Sequence, residues 1–259
     1  MSRDTKNAKD MRDTKNAKDM RDTKNAKNVY ITGVRRGIGR AVAGAMAERG
    51  HSIAGCSRHL EGLDELQRRL MAQAGAPKAH LAVADIRDPA ALRRWVDTAV
   101  EEVGPPEVVI HAAAVLGPRK NLLEVETGEW ARVMETNTTG ALNVLQATAA
   151  QARSEAPALW LWVTSSVGAK GRAGWGPYGA SKAAIDNLNE TLAAELGEGP
   201  WASATLNPGR TRTDMRRKAV PDEDPSKLPA PETVAKAFME VVTRWIQGAA
   251  TNGRRFNAR

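Results

Sequence analysis

From Asn28 onward, short apolar runs alternate with longer stretches in which apolar residues recur every three or four positions. "NVYIT" at Asn28–Thr32 reads as a strand, and "GIGRAVAGAMAERG" as a helix that closes near Gly50. "HSIAGCS" is a second strand, "LEGLDELQRRLMAQAG" a second helix and "AHLAVAD" a third strand. "DPAALRRWVDTAVEEVG" is a third helix, with Pro89 well placed near its start, and "EVVIHAA" is the next strand. Further on, the pattern predicts a long helix over Thr127–Arg153, a strand at "ALWLWVTSS" and a helix at "YGASKAAIDNLNETLAAELG". A strand at "WASATLNPG" and a helix at "APETVAKAFMEVVTRWI" complete the series. Apolar strands separated by amphipathic helices predict an α/β fold whose parallel sheet is covered on both faces. Between the last two elements, Arg210–Pro229 carries Pro221, Pro225, Pro229 and many charges, which reads as a lid or surface loop. No domain boundary emerges within residues 28–259.

Residues 1–27 break this pattern. They repeat the nonamer "RDTKNAKDM" at Arg3–Met11 and Arg12–Met20 and end in a truncated copy, Arg21–Lys27. A nine-residue period builds no single apolar helix face, and each unit has almost nothing to bury, so this stretch is expected to be a disordered tail. A basic ligand-binding arm is the functional alternative.

Charge then qualifies the picture. The chain carries a net +8, but nine Lys or Arg against five Asp put +4 of it in the tail, so the excess does not mark a nucleic-acid binder. Trp160 and Trp162 alternate on a strand, which points to burial rather than to base stacking. Cys56 is the single cysteine, a small apolar strand residue that fits a reducing cytoplasm, and the four histidines have no metal-site spacing. No apolar run approaches membrane-spanning length, and the polar start does not resemble a secretory signal.

The stretch "ITGVRRGIGR" places Gly33, Gly37 and Gly39 between the first strand and the first helix. Glycines there allow close backbone approach, and the helix directs unpaired N–H groups at an anion, so the turn reads as a phosphate cradle. At the end of the second strand, where an NAD site commonly has an acid, "GCSRH" supplies Arg58 and no carboxylate before Glu61. With Arg36 in the turn as a second positive wall, a ribose phosphate is accommodated and NADP(H) is the expected dinucleotide. Asp85 ends the third strand and serves either to orient adenine or to cap a local turn.

The chemistry concentrates in "VTSSVGAKGRAGWGPYGASK". Tyr178 and Lys182 stand four residues apart, on one face of a helix, and an ammonium there favours tyrosinate. Ser165 lies at the end of an apolar strand, where its hydroxyl can stabilise a developing oxyanion; Ser166 is the alternative.

Together these elements make residues 28–259 resemble a single-domain short-chain dehydrogenase/reductase. The resemblance implies a doubly wound, Rossmann-like sheet, predominantly parallel and generally of seven strands, and a catalytic set of Asn137, Ser165, Tyr178 and Lys182. The cofactor turn then spans Thr32–Gly39, including Ile38, and Asp85 is the adenine contact. "NPGRTRT" supplies Pro208, Gly209, Thr211 and Thr213 near the nicotinamide, and Tyr178 and Lys182 also face the cofactor. By the same resemblance Tyr178 is the proton donor, Lys182 holds the nicotinamide ribose, Ser165 positions the carbonyl and Asn137 holds a water that relays protons toward Lys182. The implied activity is NADPH-dependent reduction of a carbonyl, with a 3-oxoacyl compound as one candidate substrate. A homodimer or homotetramer is implied as the assembly. The alternative class is a non-enzymatic dinucleotide-binding interaction protein.

One segment departs from the family. Where Asn-Asn-Ala-Gly is common after the fourth strand, this chain has His111–Ala114, "HAAA". A histidine there is expected to pack and hydrogen-bond at the strand end. Beyond the sixth strand, Arg216, Arg217 and Lys218 either meet an acidic acyl-carrier protein or form a solvated loop, and Trp175 lines the substrate pocket or packs beneath it.

Overall fold

The computed structural model describes residues 25–73, 75 and 77–258. Seven strands form one sheet in the order β3-β2-β1-β4-β5-β6-β7, and every pairing is parallel. The strands are β1 (Asn28–Thr32), β2 (Ser52–Ser57), β3 (Ala79–Val83), β4 (Val108–His111), β5 (Ala158–Val163), β6 (Trp201–Asn207) and β7 (Arg254–Asn257). Helices α1 (Gly37–Ala47), α2 (Leu63–Met71) and α3 (Pro89–Glu102) connect the first four. Then come α4 (Thr127–Met134), α5 (Gly140–Ala149), the single turn α6 (Ser166–Ala169), α7 (Gly176–Leu196), α8 (Asp214–Ala219) and α9 (Pro231–Ile246).

Central strands β4 and β5 are buried along their whole length, which is why they read as continuous apolar runs. On one face, Val42, Met46, Leu66, Leu70, Phe238 and Val241 of α1, α2 and α9 pack on Val29, Ile31 and Leu161. On the other, Leu92, Val96, Val144 and Ile185 of α3, α5 and α7 pack on Tyr30, Val109, Trp160 and Trp162. The two tryptophans are structural: their indole N–H groups donate to Thr148 Oγ1 at 3.0 Å and Ser203 Oγ at 2.9 Å. Local chemistry sets the helix starts. Asp88 accepts from the N–H of Ala90 at 2.9 Å and of Ala91 at 3.1 Å ahead of Pro89, and Glu126 and Glu129 form a capping box at α4.

Three elements differ from the pattern. The helix predicted over Thr127–Arg153 ends at Ala149 and is interrupted by a π-helical segment, Glu135–Thr139. The loop expected over Arg210–Pro229 contains α8 and a 3-10 turn at Pro225–Lys227. Finally, Lys27, the last residue of the repeats, is tied to the fold: its N–H donates to His51 Nδ1 at 3.0 Å and its ammonium pairs with Glu107 at 3.0 Å. Residues 1–24, on which the expectation of a disordered tail rests, lie outside the described residues.

Candidate active site

In this topology the chain leaves β1 toward β2 on one side and later enters β4 on the other. A crevice therefore opens at the carboxyl ends of the strands. One continuous cleft runs along these ends, from Ser57 and Arg58 after β2, past the glycine turn and Ala112–Leu116, to Ser165, Tyr178 and Lys182.

The turn is built by close contact. Gly33 has φ +73°, and a Cβ there would lie 2.9 Å from the backbone of Ala113; a Cβ on Gly39 would lie 2.9 Å from the Gly33 carbonyl carbon. Arg36 at the start of α1 places no side-chain cap over the helix, leaving its first N–H groups directed at the cleft. Across the gap, the Thr213 methyl lies 3.5 Å from where a Gly37 Cβ would sit, so the two segments face each other over the middle of the crevice.

At the cationic end, Arg36 and Arg58 both line the cleft, joined by Arg35. Arg58 is exposed at the rim and has no ion pair among the described residues. Arg35, which also lines the cleft, reaches Glu61 at 3.1 Å, whereas Arg36 extends the other way to Asp214 at 3.6 Å. Both pairs include highly exposed partners and are weak tethers. Arg35 went unnoticed in the sequence because only its immediate neighbour matched the charge argument. Asp85 does not line the cleft: its carboxylate accepts from Arg87 Nε at 3.1 Å and Nη2 at 2.7 Å, which holds it below the usual carboxylate range. Ala84 and Ile86 on either side of it line the cleft instead.

At the other end, α7 presents Tyr178 and Lys182 to one space. Lys182 is buried, its Nζ donates to the Val163 carbonyl at 2.7 Å and lies 5.7 Å from the Tyr178 ring centre. Burial lowers its pKa to about 8, opposed by the Asp186 carboxylate. Burial also pushes the Tyr178 phenol up to about 12, so desolvation outweighs the pull toward tyrosinate that the spacing alone suggests. Tyr178 is therefore a protonated phenol at neutral pH, the form a proton donor needs. Ser165 caps α6, its Oγ accepting from the Val167 N–H at a long 3.5 Å, and it lines the same cleft as Tyr178.

Asn137 sits in the π segment and is buried. Its Oδ1 accepts from Val115 N–H at 2.8 Å, while Nδ2 donates to the Val115 carbonyl at 2.9 Å and Ser181 Oγ at 3.0 Å. The structure thus brings its side chain to the cleft-lining loop and to α7 rather than to Lys182. Pro208, Gly209, Thr211 and Thr213 all line the cleft, and Thr213 caps α8 by accepting from Arg216 N–H at 3.2 Å. Trp175 is a wall of the pocket; the Arg119 guanidinium stacks over it at 3.9 Å and donates to the Ala219 carbonyl at 3.1 Å, clasping α8 to the pocket. Two of the three lid cations are engaged internally, Arg216 with Glu223 and Arg217 with Asp214.

His111 is fully enclosed. Its Nδ1 lies 3.0 Å from Thr32 Oγ1, its ring 5.8 Å from that of Trp162, and its Nε2 has no hydrogen-bond partner among the described residues. Burial, with the Lys182 charge adding, lowers its pKa to about 3. The unfolded chain, with a histidine near 6.5, then binds the extra proton first, so His111's contribution is complete above pH 6.5 and is lost as pH falls toward 3. His111→Asn is expected to flatten this acid limb. Between pH 7 and 5, urea unfolding should show the parent losing about 2 kcal/mol more than the variant, and equal losses would exclude this role.

Comparison with known proteins agrees with the geometry. Residues 27–224 match the family model for short chain dehydrogenase. The NADPH-dependent pterin aldehyde reductase of Arabidopsis thaliana is 34% identical over 187 residues, covering 72% of this chain and 76% of the relative. The 3-oxoacyl-[acyl-carrier-protein] reductase FabG of Vibrio cholerae is 29% identical over 74% of this chain and 76% of its own. A Shigella flexneri 2a protein solved in complex with NADP superposes with a TM-score of 0.81 at 27% identity, over 90% of this chain and 96% of that one.

Proposed function

The chain belongs to the short-chain dehydrogenase family, and from that premise we propose that it is an NADPH-dependent reductase of a substrate carbonyl. The observation that carries this reading is that Ser165, Tyr178 and Lys182 line the same cleft as the glycine turn and Arg58.

The residues present fit a nicotinamide dinucleotide phosphate. The cradle at Gly33, Gly37 and Gly39, which a Cβ at Gly33 or Gly39 would fill, with the α1 N–H groups, suits a pyrophosphate. Arg58 and Arg35 suit a ribose phosphate, and no carboxylate stands at the end of β2 to repel it. Ala84 and Ile86 offer an apolar adenine wall, with Asp85 beside it, and Thr211 and Thr213, which line the same cleft, would hold the carboxamide end. When bound, this group supplies the hydride.

The protein's own groups do the rest. Ser165 donates a hydrogen bond to the carbonyl oxygen and stabilises its developing charge. Tyr178 passes its phenolic proton to that oxygen. Lys182 stabilises the resulting tyrosinate and holds the ribose hydroxyls with the N–H donors not used on Val163. Asn137 fixes Val115 and, through Ser181, the backbone carrying Tyr178, since Ser181 Oγ donates to the Tyr178 carbonyl at 2.8 Å. Trp175 and Met215 bound the substrate end. We assign a homodimer or homotetramer, with Leu142 on α5, 42% exposed, at the subunit face. No helix among the described residues is long and apolar enough to cross a membrane, and the cytoplasm is the proposed location.

A second reading, with a 3-oxoacyl thioester as the carbonyl, is favoured by the similarity to FabG. The test is NADPH oxidation across aromatic aldehydes including pterin aldehyde, simple ketones and 3-oxoacyl thioesters. Tight NADPH binding without turnover on any of them would instead indicate a dinucleotide-binding interaction protein. In the same assay Arg58→Ala is expected to weaken NADPH binding about tenfold and leave NADH unchanged; an unaltered NADPH-to-NADH ratio would remove Arg58 from the phosphate site.

A further inference from the structure

Beneath α7 the sheet carries polar side chains where an apolar core would be expected. One rung runs Thr32, His111, Trp162, Thr205 and Arg255 across β1, β4, β5, β6 and β7. Onto this face α7 lowers Asp186, four residues after Lys182 and eight after Tyr178, so the three side chains share one helix face on successive turns. Asp186 is buried. Its Oδ2 lies 2.9 Å from Arg255 Nη2 on the last strand, and its Oδ1 has no hydrogen-bond partner among the described residues. Desolvating a carboxylate costs several kcal/mol, and one half-exposed arginine does not make such a pair a strong source of stability. The carboxylate stands one helical turn from Lys182 on the same face of α7, with no ion pair between the two among the described residues, and its charge opposes the loss of charge that burial imposes on Lys182.

We propose that Asp186 is a positioning residue for the chemical centre: held by α7 on the face that carries Lys182, with its charge only partly offset by Arg255, it keeps the buried Lys182 side chain an ammonium beside Tyr178. The inference rests on the reading of Lys182 and Tyr178 given above. Other charges around α7 do not substitute for it. Glu190, one turn on, is exposed and shares Arg255 at 3.8 Å. On α4 and the π segment, Glu129 is paired with Lys120, Glu135 with Arg87, and Arg132 is exposed. From β4, His111 faces Lys182 as a neutral ring, and α6 carries no titratable side chain.

The test is the titration of the Lys182 ammonium, followed by NMR in protein labelled at the lysine Cε, with Lys182→Arg identifying the signal. The parent midpoint is expected at about 8. Asp186→Asn should lower it by about one pH unit, while Arg255→Met, at the sheet edge, should raise it by exposing Lys182 to the full carboxylate charge. If Asp186→Asn does not fold, Arg255→Met carries the test. Midpoints coinciding with the parent, or a downward shift in Arg255→Met, would overturn the proposal. Since the titration requires no turnover, an inactive parent would sink the reductase reading separately. In active enzyme the alkaline limb of kcat should move with the Lys182 midpoint while KM stays near the parent value, which a purely structural role would not produce.

Discussion

Tyr178→Phe is expected to lower kcat for carbonyl reduction by about 10³-fold while NADPH binding stays within about twofold. The phenol carries a transferable proton, lines the same cleft as Ser165 and has the Lys182 ammonium 5.7 Å from its ring centre. Its hydroxyl makes no hydrogen bond to another described residue, and the ring supplies the packing against Trp175, with centroids 6.0 Å apart. Phenylalanine keeps that contact, so unfolding by urea should be nearly unchanged. The signature is therefore lost turnover in a stable protein that still binds cofactor. Turnover within about tenfold of the parent would mean that the carbonyl oxygen takes its proton elsewhere, and the assignment of Tyr178 would fall.

The fold was legible where burial is symmetrical. β4 and β5, covered on both sides, appear as unbroken apolar runs, and α3 announces itself through Asp88 and Pro89. β7 was not legible as a segment, since "RRFN" forms an exposed edge whose residues are mostly solvated, leaving no apolar alternation to detect. The break between α4 and α5 was equally hidden. Nothing in "ETNTT" distinguishes a π segment from a helix, and its position follows from tertiary contact, with Gly140 packed against Ile86. At the site, spacing four on a helix gives Tyr178 and Lys182 a shared face, whereas Ser165 stood out by its place at the end of an apolar strand and by the family resemblance. The partners of Asn137 and the direction of Arg36 depend on loops from distant parts of the chain. Val115 and Asp214, which engage them, lie far from either residue in any local window. Desolvation was the other hidden quantity: the Lys182 spacing suggests a lowered phenol pKa, but the enclosure that raises it belongs to the folded cleft.

Gly39→Ala and Gly44→Ala make the same change on the same helix and are expected to act in opposite directions. A methyl group at Gly39 would collide with the Gly33 carbonyl inside the turn, and backbone on both sides leaves no flexible side chain to yield. Relief requires α1 to move away from the β1 end, which carries its N–H groups off the pyrophosphate position. Overpacking of this kind costs about 1–3 kcal/mol, a Tm loss of several degrees, and NADPH affinity should fall by about 100-fold or more. A methyl group at Gly44 meets nothing within 4 Å, so alanine there gains only its better helix propensity, about 0.5–1 kcal/mol, and leaves NADPH binding intact. Calorimetry of NADPH binding and thermal unfolding of the two variants would check both arms. Parent-like affinity in Gly39→Ala would show that the turn does not cradle the cofactor phosphates, because the added methyl there meets the Gly33 backbone in the turn itself.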